Sequence, residues 1–535
     1  MRSPRGAWSL AGLLGGLAGL AASHLVAALL HVRSTPVVAV AELAVRLTPP
    51  GLVEWGIEAF GVFDKAVLVL VILVALSAVF AWAGHLGRRS WWLTLLPYGV
   101  LAGIGAVAVL VVPGSTPSTD LLPVLAGLLT WVVATALLSV PLRVQDGRAA
   151  AGPGAAPARG GSEDGTGDGT EVDAETGLSA PNRRSLLVRM GAVGAVAVLA
   201  GLGGEVLARR RQGVERARSL LGLQVTRPTV PPAARIGLEG VTSWETPNPD
   251  FYVIHTAFAV PTIDPADWRL RIHGMVDREL VLSFDDLFSG RLTERWTTLN
   301  CVSNEIGGDL IGNAWWSGTL TQQVLSLAGV QDGADAVLQT SEDGWTCGTP
   351  LEALTDDRQA MLAVAMNGQP LPVEHGFPVR TLVPGLYGYV SACKWVVDWE
   401  VTRFDRFSAY WTENGWAEQG PVKMGSRIDV PRSGEELPAG DVIAGGMAWF
   451  QHTGISGVEV SLDGGAWTPG EVADSRRIDS WFQWRAVLPD VPTGEHVLRV
   501  RALDPDGTPQ TGVVADTVPD GATGWHEVDF TVTEG

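Results

Sequence analysis

The sequence predicts three materials in series: a bundle of membrane helices, an α+β globular domain and an all-β sandwich. Three observations carry this. Four uninterrupted apolar runs lie near the N-terminus, each about 20 residues or more, the length that crosses a hydrocarbon core of about 30 Å. The charge also changes along the chain. Residues 1–224 hold 18 Lys and Arg against 14 Asp and Glu, whereas residues 225–535 hold 20 against 43. Past Thr226, finally, the long apolar runs give way to short alternating ones broken by Gly, Pro and Asp turns.

The bulk numbers already exclude several classes. Of 535 residues, 46% are hydrophobic and only 18% charged, and the mean hydropathy of +0.20 exceeds that of an average soluble protein. A net charge of −19 repels phosphate, so the chain is not a nucleic-acid binder. Three cysteines support neither a disulfide scaffold nor a four-cysteine zinc or iron–sulfur site.

Residues 1–144 read as the transmembrane domain, with spans at about Ala7–His31, Lys65–His85, Trp91–Val112 and Leu121–Pro141. Between the first two, Val37–Phe63 is weakly amphipathic and interrupted by Pro49-Pro50-Gly51. The double proline favours an interfacial or re-entrant helical pair over a fifth span. Arginines set the orientation. Arg2 and Arg5 precede the first span, Arg88 and Arg89 follow the second, and Arg143, Arg148 and Arg159 follow the fourth. The loop Pro113–Asp120 has neither Lys nor Arg. The N-terminus and residues 142–183 are therefore expected in the cytoplasm. His24, His31 and His85 are not placed to clamp one haem across the bilayer, and no Cys-x-x-Cys-His occurs, so no haem is predicted.

Residues 145–183 are Gly, Ala, Pro and acid, too poor in large apolar side chains to form a core, and read as a disordered cytoplasmic linker. The linker ends in Asn182-Arg183-Arg184-Ser185-Leu186-Leu187, followed by the apolar run Val188–Leu207. Segment 184–208 resembles a twin-arginine export signal, with an ordinary fifth transmembrane helix as the alternative. Either way the acidic half lies outside the cytoplasm, at the plasma membrane of a multi-pass protein.

Residues 225–420 and 421–535 are the two expected globular domains. Trp268–Met275 alternates as a half-buried strand, and Ser283–Phe288 reads as a capped helical turn. A strand-like run then ends at Cys301 and enters the polar loop Val302-Ser303-Asn304-Glu305-Ile306-Gly307-Gly308. That position exposes sulfur at the mouth of a site, and a soft thiolate binds redox-active metals. Taken alone, a single cysteine is more often a small buried hydrophobe. Downstream, His375, Arg380 and Lys394 stand among glycines and prolines that stiffen the backbone, a donor set suited to an anionic heteroaromatic cofactor. Cys347 and Cys393 read as structural strand thiols. Toward the C-terminus, Val458, Val460 and Leu462 alternate before the hairpin Asp463-Gly464-Gly465. A second run, Val497–Ala502, ends at Asp504-Pro505-Asp506-Gly507.

Five motifs in order carry a resemblance. They are Leu-Asn-Cys-Val-Ser-Asn at 299–304, Asn-Ala-Trp-Trp-Ser-Gly at 313–318 and Glu-His-Gly-Phe-Pro-Val-Arg at 374–380. Val383-Pro384-Gly385, followed by Lys394-Trp395, and Glu-Val-Ser-Leu-Asp-Gly-Gly at 459–465 complete them. Across about residues 235–535 the sequence resembles the sulfite oxidase family of molybdopterin-dependent oxidoreductases. The whole layout, with 35 Arg against 3 Lys, is similar to a membrane-anchored actinobacterial branch.

The resemblance implies a molybdopterin-binding domain followed by an immunoglobulin-like, dimerisation-type domain, and hence a homodimer. It implies a molybdenum–molybdopterin cofactor with Cys301 as the protein ligand of the metal. His375 and Arg380 would hold pterin and phosphate; Ser391, Ala392, Cys393 and Lys394 would line the pterin. Phe251, Tyr252 and His255 match a cofactor-touching segment, and Thr340 is a further candidate. The family's active-site tyrosine has its nearest counterpart in Tyr410. Animal and plant sulfite oxidases carry three arginines where this sequence has Ile254, Glu305 and Ile306, which weakens the attraction for an anion. Lys423, Arg427 and Arg403 are the cations left to replace them. The implied activity is two-electron oxygen-atom transfer on a small sulfur compound such as sulfite or a sulfoxide. Electrons would be exchanged with a separate partner, a membrane quinone or haem protein or a periplasmic-type carrier. A non-catalytic tethered binding module on the same fold is the alternative.

Overall fold

A computed structural model of the chain describes residues 5–150 and 213–534, apart from 31, 33–34, 50–51, 53–54, 57–58, 61–63, 91, 112–116 and 258–259. His31, the linker past Ala150 and the twin-arginine segment lie outside the described residues. The chain divides into two compact units, Met1–Arg210 and Arg211–Gly535.

The first unit is helical: α1 (Arg5–Leu29), α2 (Pro36–Leu47), α3 (Asp64–Leu86), α4 (Trp92–Val111) and α5 (Leu122–Ala150). Among the described residues, four segments are long and apolar enough to cross a membrane: Gly6–Leu29, Lys65–Leu86, Trp92–Val111 and Ser118–Val140. They coincide with the four runs read from the sequence. Helix α2, capped by Thr35, has twelve residues; at about 18 Å it is too short to cross. One boundary moves. Helix α5 continues through Pro141 to Ala150, so residues 145–150, assigned above to the linker, are helical.

Glycine lets α1 sit close to its neighbours. A Cβ at Gly12 would lie 2.4 Å from the Phe80 carbonyl oxygen, and one at Gly19 would lie 1.6 Å from the Trp131 ring. Small residues at such crossings are the usual basis of helix packing in lipid. The Trp131 indole N–H donates to the Gly16 carbonyl at 2.8 Å.

The second unit holds three sheet systems. The first is a five-stranded sheet of order β2-β1-β10-β5-β6, comprising β1 (Arg269–Gly274), β2 (Leu280–Ser283), β5 (Ala336–Ser341), β6 (Thr346–Pro350) and β10 (Val396–Thr402). The second has order β3-β4-β7-β8, with β3 (Thr293–Asn300), β4 (Ile311–Leu320), β7 (Met361–Met366), β8 (Gln369–Pro370) and β9 (Arg380–Leu382) added beside β7. Strand β1 buries Leu270 and Ile272 and exposes Arg269 and Arg271, the alternation its sequence predicts. Strand β7 is instead a continuous apolar run buried on both faces. Leu362 and Val364 enter the core shared with the first sheet, while Met361, Ala363 and Met366 enter a smaller core with Phe251, Leu299 and Trp316. The helical turn α6 (Phe284–Phe288) carries the expected cap: the Ser283 and Asp286 side chains each bond the other's backbone N–H.

The third system is C-terminal: a sheet of order β11-β13-β17-β16 and another of order β12-β19-β18-β14-β15. Their strands are β11 (Gly425–Val430), β12 (Glu435–Pro438), β13 (Gly440–Trp449), β14 (Gly457–Leu462), β15 (Thr468–Pro469), β16 (Glu471–Val472), β17 (Phe482–Val491), β18 (Gly494–Leu503) and β19 (His526–Thr533). Val442, Trp484 and Leu488 from one sheet meet Val460, Val500 and Phe530 from the other in one core, so the two form a sandwich. The predicted hairpin is present. Asp463 and Gly464 both adopt positive φ, and the Gly465 N–H donates to the Leu462 carbonyl at 2.8 Å.

Candidate active site

Strand β3 runs inward with Trp296 through Asn300 buried, and the chain leaves the sheet at Cys301. The next ten residues fold back on themselves. The Cys301 N–H donates to the Leu310 carbonyl at 2.9 Å, and the Asn304 N–H to the Cys301 carbonyl at 3.2 Å. Buried Asn304 closes the loop by accepting the Leu310 N–H on Oδ1 at 2.8 Å. Cys301 is a half-exposed free thiol. Burial nonetheless pushes its pKa up, against the pull of the Ser303 hydrogen bonds and of Lys394.

A buried cationic group gathers nearby. Arg380 is 2% exposed and lies over the Trp316 ring, 5.2 Å from its centroid. Its Nη1 donates to the His375 carbonyl at 3.2 Å, while Nε is buried without a partner. Burial lowers its pKa to about 10, which leaves the guanidinium charged at neutral pH. His375 is buried too. Its Nε2 meets the Asn248 carbonyl at 3.3 Å and its Nδ1 has no partner. Burial first, then the charges of Lys394 and Arg380, lower its pKa to about 3, so the imidazole is neutral. Lys394 Nζ donates to the Glu374 carbonyl at 3.0 Å. Gly376 brings these residues together. At φ 107°, it would place a Cβ 3.0 Å from Arg380 Cβ and 3.2 Å from Lys394 Cα.

Aromatic residues complete the surroundings. Phe251 stacks on Tyr252 at 5.2 Å and meets Trp316 and His375 edge-on. Tyr252 is held protonated by burial and by the Cys301 sulfur, with Arg380 opposing. His255 lies edge-on to Trp395, which in turn carries Lys394 over its ring. Ser391 ends the short helix α7 (Gly388–Ser391); its Oγ donates to the Leu386 carbonyl at 3.1 Å, and Ala392 is buried behind it.

The structure separates two of the residues named from the sequence. Thr340 pairs across its sheet with Asp398 and Thr346, whereas its neighbour Gln339 reaches Thr381 and Trp399 from the other face. Side chains alternate along a strand, so Thr340 faces away from Thr381 and Trp399. Tyr410 lies on Thr340's side. Its N–H donates to Thr346 Oγ1 at 3.2 Å, and its ring meets Trp411 edge-on. Tyr387, which sequence reasoning missed, lines the cleft beside the Cys301 loop and, like Tyr252, feels the charge of Cys301. Burial and the charges of Asp520 and Cys301 push its pKa up to about 12 against a Lys423 N–H bond. Its place in Val-Pro-Gly-Leu-Tyr, between two motifs already singled out, was the available signal.

Cys393 also departs from its expected strand. Helix α7 closes a turn, Trp395 takes φ 50°, and β10 starts only at Val396, leaving Cys393 in the connecting loop. It is buried with Cys347 as neighbour, and burial pushes its thiol up further. Of the three replacement cations, Arg403 is spent on Asp405 at 2.8 Å, and Arg427 on Asp429 at 2.7 Å and the Gly308 carbonyl at 2.8 Å. Lys423 alone reaches the cleft beside the Cys301 loop.

The comparisons with known proteins agree with this geometry. Residues 257–411 match the family profile described as the oxidoreductase molybdopterin binding domain. Human mitochondrial sulfite oxidase is 31% identical in an alignment 329 positions long that covers 50% of this chain and 58% of that protein. The chain thus spans little more than half the length of that relative. An oxidoreductase of Bacillus subtilis, YuiH, is 34% identical over 178 residues and is covered over 86% of its length. The chain belongs to the sulfite oxidase family of molybdopterin-dependent oxidoreductases. Its cofactor is accordingly molybdenum bound to molybdopterin. The sulfane dehydrogenase SoxCD of Paracoccus pantotrophus superimposes with a TM-score of 0.44 at 25% identity, over 55% of this chain and 82% of that one.

The residues present fit that cofactor. A guanidinium buried to 2% exposure with an orphaned Nε, beside an imidazole with an orphaned Nδ1, lacks only an anionic acceptor. Burying a charge without a partner is costly, and the phosphate of a molybdopterin would supply such a partner.

Proposed function

We propose that the chain is a membrane-anchored molybdenum oxidoreductase that transfers an oxygen atom, with two electrons, to or from a sulfur compound such as sulfite or a sulfoxide. The observation that carries this reading is the buried Arg380, its Nε without a partner, beside His375 and close to Lys394, whose charge also acts on Cys301. Molybdenum held by the pterin supplies the two-electron redox and oxygen-atom chemistry. The chain's own residues bind and orient. Cys301 is the protein ligand of the metal, Arg380 and His375 hold the phosphate and pterin, and Lys394, Ser391, Ala392 and Cys393 line it, as do Phe251, Tyr252 and His255. Tyr387, protonated throughout the physiological range, lines the cleft beside the Cys301 loop, and its hydroxyl accepts the Lys423 N–H at 3.3 Å. In the oxidative direction the substrate gains an oxygen from water and releases two electrons and two protons; the electrons pass to a separate carrier. The arginine pattern flanking the helices supports an extracytoplasmic position for this domain, and in this reading the C-terminal sandwich serves as an immunoglobulin-like dimerisation domain.

Metal and pterin analysis of the chain purified from a molybdate-replete host tests the reading. One molybdenum and one pterin per chain are expected, with sulfite oxidation or sulfoxide reduction in the presence of an artificial carrier. A chain holding neither would be a tethered binding module instead. The Cys301→Ser variant should lose turnover by at least about 10³-fold, on the scale of losing an essential interaction, while keeping its circular dichroism. Full activity in that variant would remove Cys301 from the metal.

A further inference from the structure

Beside the Cys301 loop lies an open cleft enclosing about 400 Å³, solvent included. Its walls come from both parts of the second unit: Asn300, Glu305 and Ile306 from the loop, Tyr387 and Lys423 from the connection, and Trp449, Ala522 and Gly524 from the sandwich. The charges in this cleft are unequal. Lys423 is its cation, and its Nζ is bound to Asp520 Oδ1 at 2.7 Å and to the Gly521 carbonyl at 2.9 Å. That positive charge is therefore neutralised locally. Glu305 is exposed and forms no ion pair among the described residues. The remaining charge in the cleft is one carboxylate.

The rim adds a second selection. Ile306 Cδ1 would lie 2.6 Å from a Cβ on Gly524, and Val514 Cγ2 would lie 3.3 Å from it, so these side chains adjoin. Val513 and Val514 are 71% and 75% exposed on the same sandwich loop. A cleft with an uncompensated carboxylate and an apolar lip repels small inorganic oxyanions and favours uncharged or cationic molecules bearing an apolar group.

We infer that Glu305, with Asp520 holding Lys423, is the specificity determinant of this cleft, and that the substrate is an uncharged or cationic organic sulfur compound rather than an inorganic sulfur oxyanion. This rests on the oxidoreductase reading above and narrows its substrate. The chemistry is the same two-electron, one-oxygen exchange. What Glu305 decides is the charge of the molecule admitted.

Two unreactive probes of matched shape test it: sulfate, an anion, and dimethyl sulfone, which is neutral and carries two methyl groups. Calorimetric titration of the molybdenum-loaded full chain should show dimethyl sulfone binding at least about tenfold more tightly than sulfate, a difference of about 1.4 kcal/mol. In Glu305→Gln the ratio should shift toward sulfate by about tenfold or more. Asp520→Asn, which releases Lys423, should shift it the same way, and the shift should shrink as salt is raised. Glu305 is exposed and outside both cores, so the single variant keeps its fold. Preference of the unmodified chain for sulfate, a ratio unmoved by Glu305→Gln, or binding of neither probe would each overturn the inference. The functional reading fails separately: a loaded chain that turns over neither sulfite nor a dialkyl sulfoxide ends that reading, while the probe ratio still decides the role of Glu305.

Discussion

Arg380 is the residue whose energetics say most about the site. Without the cofactor its charge is buried with one carbonyl and the face of Trp316 for company. Replacing it by Met in cofactor-free protein should therefore raise stability by about 1–4 kcal/mol. The same change should abolish retention of the pterin, read as pterin content after gel filtration. His375 makes a second residue-scale prediction. Its pKa falls from 6.5 to about 3 on folding, so between those values the unfolded chain binds a proton that the folded chain does not. Stability of the cofactor-free protein is complete above about pH 6.5 and falls as pH drops toward 3, by at most about 1.4 kcal/mol per pH unit from this group. His375→Gln should flatten that part of the stability–pH curve, measured by chemical denaturation at a series of pH values. An unchanged slope would show that the histidine titrates normally.

Among the elements, the short turn Val373–Gly376 and strand β9 carry the greatest constraint. Gly376 takes a conformation that L side chains rarely adopt, and any Cβ there meets both Arg380 and Lys394. Gly376→Ala should cost about 1–3 kcal/mol of stability, visible as a lowered thermal midpoint, and should weaken pterin retention in parallel. The elements were legible to different degrees. Strands β1, β14 and β18, the cap of α6 and the four spanning segments follow directly from period and turn chemistry. The end of α5 did not, because Gly, Ala and Pro composition marks the absence of a core rather than the absence of a helix. The loop position of Cys393 was hidden as well: a single turn of helix and one positive φ at Trp395 lie below what alternation can resolve.

In the molecule as a whole, the sandwich does more than adjoin the catalytic part of the second unit. The Thr298 N–H donates to the Asp479 carbonyl at 2.8 Å, and Thr298 Oγ1 accepts the Trp481 N–H at 2.8 Å. Gln451 Nε2 donates to Asn300 Oδ1 at 2.5 Å, one residue before Cys301. Arg295, earlier on the same strand, pairs with Asp479, whose side chain is 4% exposed. The strand that delivers Cys301 is thus tied to the C-terminal sheets by buried polar bonds. Removing one member of a buried pair typically costs about 3–5 kcal/mol, and that loss is the expectation for Asp479→Ala. The loss should appear as a lowered denaturation midpoint, moderated by the packing of Met447, Trp449 and Trp481 from the C-terminal part into the first core. An unshifted midpoint would show that the ties are dispensable.

The sequence by itself determined which segments are apolar enough to enter a membrane, the switch from a basic to an acidic half, and the residue types proposed for the cofactor site. Cys301, His375, Arg380 and Lys394 were all named from their motifs. These are properties of composition, period and local spacing, which need no knowledge of long-range contacts. Only the tertiary structure decided which residues share the site. It set Thr340 on the opposite face of its strand from Gln339 and Thr381, put Tyr410 on that same side, and brought Tyr387 to the cleft beside the Cys301 loop. It also showed that Lys423 is neutralised by Asp520, nearly a hundred positions away, and that Glu305 is not. The physical reason is the same throughout. Burial, pairing of charges and the face a side chain presents are set by residues distant in sequence, and their joint effect exists only once the chain has folded.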